Sequence, residues 1–118
     1  MITPAQIEKR LYELSKEMDE AHTQMVEDET RFSNTKAKYE IAMARTRLEL
    51  ASKSSPTGKN YTVGEREDMA LIQNEHLHLE LSVADTAAKA SKANMSRIKT
   101  QVDITRSISS SIKATLDL

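Results

Sequence analysis

Three histidines, His22, His76 and His78, are the only imidazoles in a chain of 118 residues that contains no cysteine. They are the natural bases or metal ligands to consider first. His76 and His78 lie two positions apart, about 200° around an ideal helix. No pair of histidines has the i, i+4 spacing that puts two imidazoles on one metal. All three are therefore expected at solvated or interfacial positions. Without cysteine there is no thiolate zinc site, sulfur nucleophile or disulfide framework. The Gly58-Lys59 step lies in the polar segment Ser54–Asn60. It lacks the first glycine and the preceding strand of a phosphate-binding loop. Carboxylate clusters such as Glu27-Asp28-Glu29 and Glu65, Glu67 and Asp68 read as solvated helix faces or as partners for basic segments. No catalytic site, metal site or cofactor is expected, and the chain is read as a non-enzyme.

The cations are more informative. Arg31, Lys36, Lys38, Arg45, Arg47, Lys53 and Lys59 fall within one short stretch. In M-A-R-T-R-L-E-L, Arg45 and Arg47 bracket Thr46, again about 200° apart on a helix. Both cannot face the same acidic neighbour, which leaves at least one for a group such as a phosphate. The competing reading is a salt-bridge seam between helices. Tyr39 and Tyr61 are candidates for stacking on bases, although Tyr39 also falls on an apolar stripe and reads there as packed.

The elements that must carry these residues follow from composition and spacing. Hydrophobic residues make up 38%, charged residues 30% and aromatics 3%, with two glycines and two prolines. So few turn formers argue against a sandwich or barrel. No apolar run approaches the ~18 residues that span a bilayer, and no apolar leader opens the chain. A non-membrane, cytoplasmic protein is expected. Thr3 is a usable N-cap before Pro4, and no glycine or proline follows until the Ser52–Asn60 cluster SKSSPTGKN. Thr62 and Glu65 then form a T-x-x-E capping box, after which no breaker recurs beyond Gly64. The expected elements are a first helix over about 4–52, a loop over about 53–61 and a second helix over about 62–116.

Ile7, Leu11, Leu14, Met18, Ala21, Met25, Phe32 and Tyr39 keep a 4-3 step, interrupted by Asp28 and Thr35, which defines a heptad stripe. Near the loop the stripe is expected to widen to Ile41, Met43, Leu48 and Leu50. In the second helix Met95, Ile98, Val102, Ile112 and Leu116 form a matching stripe. The period-two segment Leu77–Val83 resembles a strand but lacks flanking turns, so it is read as helix. Leu77, Leu81 and Ala84 then face one way, and Ile72, Leu79 and Val83 another.

Charge selects the topology. Residues 1–30 hold three cations against eight carboxylates, and residues 31–59 hold seven against two. Residues 60–85 hold one against six, and residues 86–118 six against two. Folding back at the loop sets each acidic block beside a basic one, which an extended chain would not. The fold class expected is all-α: two long antiparallel helices forming one helical-hairpin domain over residues 1–118. A helix apolar on two sides wants more than one neighbour. Self-association is therefore expected through Ile72, Leu79, Val83, Ile104 and Ile108, with the small residues of Ala84–Ala93 permitting close approach.

The stretch from Tyr39 to Tyr61, with M-A-R-T-R-L-E-L, a polar loop and a charged helix start, resembles the UvsY-like family of phage recombination mediators. That family carries a basic L-K-A-R-L-type motif late in its first long helix. Arg45 falls on the motif's lysine, Arg47 on its arginine and Leu48 on its final leucine. Met43 lies one position from the first leucine, and the chain's near neutrality is a second departure. The similarity spans about residues 31–108, mostly as architecture. The resemblance implies a ring-like homo-oligomer that binds single-stranded DNA and helps a RecA-type recombinase displace single-strand-binding protein. Arg45 and Arg47 would make the main phosphate contacts, with Lys36, Lys38, Lys53 and Lys59 as auxiliary cations. The alternative is a protein-binding helical adaptor, assembly chaperone or enzyme inhibitor that binds no nucleic acid.

Overall fold

The computed structural model describes residues 2–53 and 55–116. Every regular element in it is helical: α1 (Pro4–Ala51), α2 (Val63–Gln73) and α3 (Glu75–Leu116). The protein is an all-α helical hairpin, with α1 as one arm and α2–α3 as the other. The segment 77–83 is helical throughout. Its leucines alternate in sequence, yet no turn residues free them to pair as a strand.

Both expected caps form. The Thr3 and Gln6 backbone N–H groups donate to the partner side chains, Thr3 N to Gln6 Oε1 at 2.9 Å and Gln6 N to Thr3 Oγ1 at 3.2 Å. This is a full capping box, one residue richer than Thr3 alone. At the second arm Glu65 N donates to Thr62 Oγ1 at 3.1 Å and Thr62 N to Glu65 Oε1 at 3.3 Å. Between the arms, Gly58 N donates to Ser55 O at 2.9 Å and Ser55 N to Lys59 O at 2.8 Å. Pro56 sits at the second position of that turn, where its fixed φ fits. Gly58 has φ +81, a left-handed conformation that favours glycine.

The contacts form two compact units, residues 1–28 with 88–118, and residues 29–87. In the first, Leu14, Ala21, Met95 and Ile98 are buried, and Met18, Met25 and Val102 pack against them. These are the expected heptad positions of both stripes. Asp28, one of the polar interruptions, receives a hydrogen bond from the buried Ser91 hydroxyl. Arg10 reaches Glu13 and Glu17 at 3.4 Å on its own helix, and its Nη2 donates to Gln101 Oε1 at 3.3 Å on the facing arm. Leu116 departs from expectation: it keeps the stripe's period but is 70% exposed. With Ile2, Pro4, Ile104, Ile108 and Ile112 it borders an apolar groove of about 860 Å³.

In the second unit the seam of α1 runs through Tyr39, Met43, Thr46 and Leu50, the last three buried. Thr35, Tyr39 and Met43 are successive steps of four, an insertion that locally unwinds a heptad seam. That shift turns Ile41 and Leu48 outward, so the expected widening of the stripe does not occur; they are 54% and 73% exposed. The small residues are also used differently from expectation. Ala84 is fully buried within the second unit, and Ala88 and Ser91 are buried within the first. They sit on the inward-facing heptad positions rather than on an outer face.

The second arm is two helices where one is expected, and Asn74 divides it. Asn74 adopts φ −110, ψ 24, outside the helical basin. Its Nδ2 donates to Ala70 O at 2.9 Å and to Thr46 Oγ1 at 3.0 Å. Ala70 O also accepts the Asn74 backbone N–H at 3.1 Å. A side chain competing for the i−4 carbonyl is a recognised cause of helix interruption. His78 N donates to Asn74 O at 3.0 Å, so the residue that caps α2 also accepts the first bond of α3.

Candidate nucleic-acid interface

The cations of residues 31–59 are carried by the second half of α1 and the loop that follows, both within the second unit. The inward positions Tyr39, Met43, Thr46 and Leu50 fix the rotation of α1, so the basic residues between them are turned to solvent. Arg45, Lys36, Lys38, Lys53 and Lys59 are all exposed. Among the described residues, no carboxylate pairs with any of these five.

Arg47 is different. Its Nε lies 2.8 Å from Glu67 Oε1 and its Nη2 donates to Glu67 Oε2 at 2.9 Å, a two-pronged contact with α2. The expectation that Arg45 and Arg47 face different ways is therefore met, with Arg47 turned to the facing arm. Both partners remain nearly half exposed, at 45% and 47%. An exposed pair of this kind contributes about 0.2–1 kcal/mol, little enough for a competing phosphate to displace. Arg47 is thus in a salt bridge and Arg45, two residues earlier, is without one.

The tyrosines offer limited stacking surface. Tyr39 is half-buried, with its ring centroid 5.7 Å from that of His78 and tilted by 50°. Tyr61 is half-buried at the loop's end. His22, His76 and His78 are exposed, and among the described residues no three acidic or imidazole side chains converge as a metal would need.

The expected self-association residues lie in two places. Ile72, Leu79 and Val83 are 72%, 56% and 58% exposed in the second unit. Ile104 and Ile108 belong to the first unit and border its apolar groove. Two features have no counterpart in the reading from sequence: Glu67 as the partner of Arg47, and Asn74 as the residue that divides the second arm. Glu67 was visible only as a member of an acidic cluster, because nothing in the spacing says which carboxylate faces which arginine. Among the described residues no helix is long and apolar enough to cross a membrane. No family model, curated protein or solved structure matches the chain.

Proposed function

We propose that the protein is a non-enzymatic single-stranded DNA-binding recombination mediator that helps load a RecA-type recombinase during phage homologous recombination. The observation that carries this reading is the basic half of α1 and its loop, where Arg45 and four lysines stand exposed without carboxylate partners. Arg45 supplies the principal phosphate contact and Lys36, Lys38, Lys53 and Lys59 supply weaker ones. Arg47 joins them when phosphate displaces Glu67. Several copies in a ring-like homo-oligomer multiply these contacts through effective concentration. Acidic segments are left to meet basic surfaces of the recombinase or of single-strand-binding protein, in the host-cell cytoplasm where phage recombination runs.

Titration of a labelled single-stranded oligonucleotide against salt tests the reading. Binding is expected to be sequence-tolerant and to weaken steeply with salt, by about 0.7 in log–log slope for each phosphate neutralised. Arg45→Ala lowers both affinity and slope. The rival reading is a protein-binding adaptor, favoured by the apolar groove beside Ile104 and Ile108. No binding at low salt, with Arg45→Ala matching the parent, would select it.

A further inference from the structure

Both arms of the second unit carry a second apolar line on the side away from the seam. On α1, Ala37, Ile41, Ala44 and Leu48 step by 4-3-4, and all four are exposed. Taking about 100° per residue, this line lies roughly opposite Tyr39, Met43 and Leu50. On the other arm Ile72, Leu79 and Val83 are exposed, Ile72 about 200° around from the buried Ala70 and Leu79 about 140° from the buried Ala84. Asn74 joins the two helices, its N–H donating to Ala70 O and its carbonyl accepting from His78 N, and Ile72 and Leu79 lie one heptad apart on either side of it.

Each line is edged by charge with the same heptad repeat and opposite sign. Lys38 and Arg45 precede Ile41 and Leu48 by three residues each. Asp68 and Glu75 precede Ile72 and Leu79 by four residues each. All four charged side chains are exposed, and among the described residues none of them has an ion-pair partner. Apolar seams flanked by complementary charges at heptad spacing are what helices use to select a neighbour.

We infer that the outer face of α1 in one copy docks on the outer α2–α3 face of a second copy. Lys38 and Arg45 of the first then lie along Asp68 and Glu75 of the second. The two surfaces differ, so the contact is head-to-tail: each copy offers one free face of each kind, and copies add until a ring closes or a chain grows. This differs from self-association through the second arm alone, which would pair like with like and oppose two acidic edges. The inference does not rest on DNA binding. Arg45 has five donors and can face a neighbour's carboxylate and a phosphate together.

Two variants test it: Ile41→Gln/Leu48→Gln on one face and Ile72→Gln/Leu79→Gln on the other. All four positions are more than half exposed, and far-UV circular dichroism checks that helicity is retained. By light scattering across the micromolar range, the parent is expected to form oligomers and each variant to be a monomer. Mixed in equal amounts, the two variants should form a dimer, because each keeps the face that the other lacks. The idea is overturned by a monomeric parent. It is also overturned if either variant still oligomerises like the parent, or if two monomeric variants stay monomeric when mixed.

Discussion

At the residue scale, two arginines separated by one residue have different environments because the helix turns about 200° between them. Arg47 meets Glu67 through two contacts, while Arg45 stands exposed without an ion-pair partner. The Glu67 carboxylate therefore acts as an intramolecular competitor for any phosphate at Arg47. Glu67→Gln removes the charge and keeps the shape, and it is expected to tighten single-stranded DNA binding several-fold and steepen its salt dependence. Fluorescence anisotropy against salt reads both quantities. Unchanged affinity would mean that Arg47 takes no part in binding. The stability cost should be small, within about 1 kcal/mol, because the pair is exposed.

At the scale of elements, the helices were legible in the sequence wherever periodicity and caps acted together. The 4-3 stripe from Ile7 to Met25 packs as its spacing requires, and Thr62 with Glu65 starts α2 as a capping box. Thr62→Ala should cost about 1 kcal/mol, read as a lowered urea midpoint. What spacing did not reveal is the seam's rotation near the loop and the break at Asn74. Both depend on tertiary contacts: two successive four-residue steps in α1 look as apolar as a broadened stripe, and an asparagine in a breaker-free run looks solvated. Asn74 instead is buried and donates to Thr46 across the seam. Asn74→Ala is expected to cost about 1–2 kcal/mol, since it removes buried hydrogen bonds. Thr46→Val should cost less, because it removes a hydroxyl whose own donor bond is local, to Ala42 O at 3.0 Å. A double-mutant cycle in urea should give a coupling of at least ~0.5 kcal/mol; strict additivity would show that the Asn74–Thr46 bond does not contribute.

At the scale of the whole molecule, the alternation of acidic and basic blocks serves two purposes. Within each unit it sets an acidic segment of one arm with a basic segment of the other, which favours the antiparallel pairing. Arg47–Glu67 is a cross-arm ion pair, while Arg10 bonds carboxylates of its own helix. In the second unit Lys38 and Arg45 on α1 and Asp68 and Glu75 on the other arm are exposed, which suits both self-association and contact with a nucleic-acid backbone. These two proposed roles can be separated by experiment, because Ile72 and Leu79 lie on the arm that does not carry Arg45 and the four lysines of the proposed interface. Ile72→Gln/Leu79→Gln should leave binding to an oligonucleotide short enough for one copy unchanged. On a long oligonucleotide that several linked copies can grip, the same variant should bind about 10²-fold more weakly than the parent, the scale of avidity gained by joining binding modules. Equal losses on short and long strands would mean that Ile72 and Leu79 contact DNA directly. No loss on either would mean that a single hairpin binds the strand unaided, and the ring would then have no part in holding DNA.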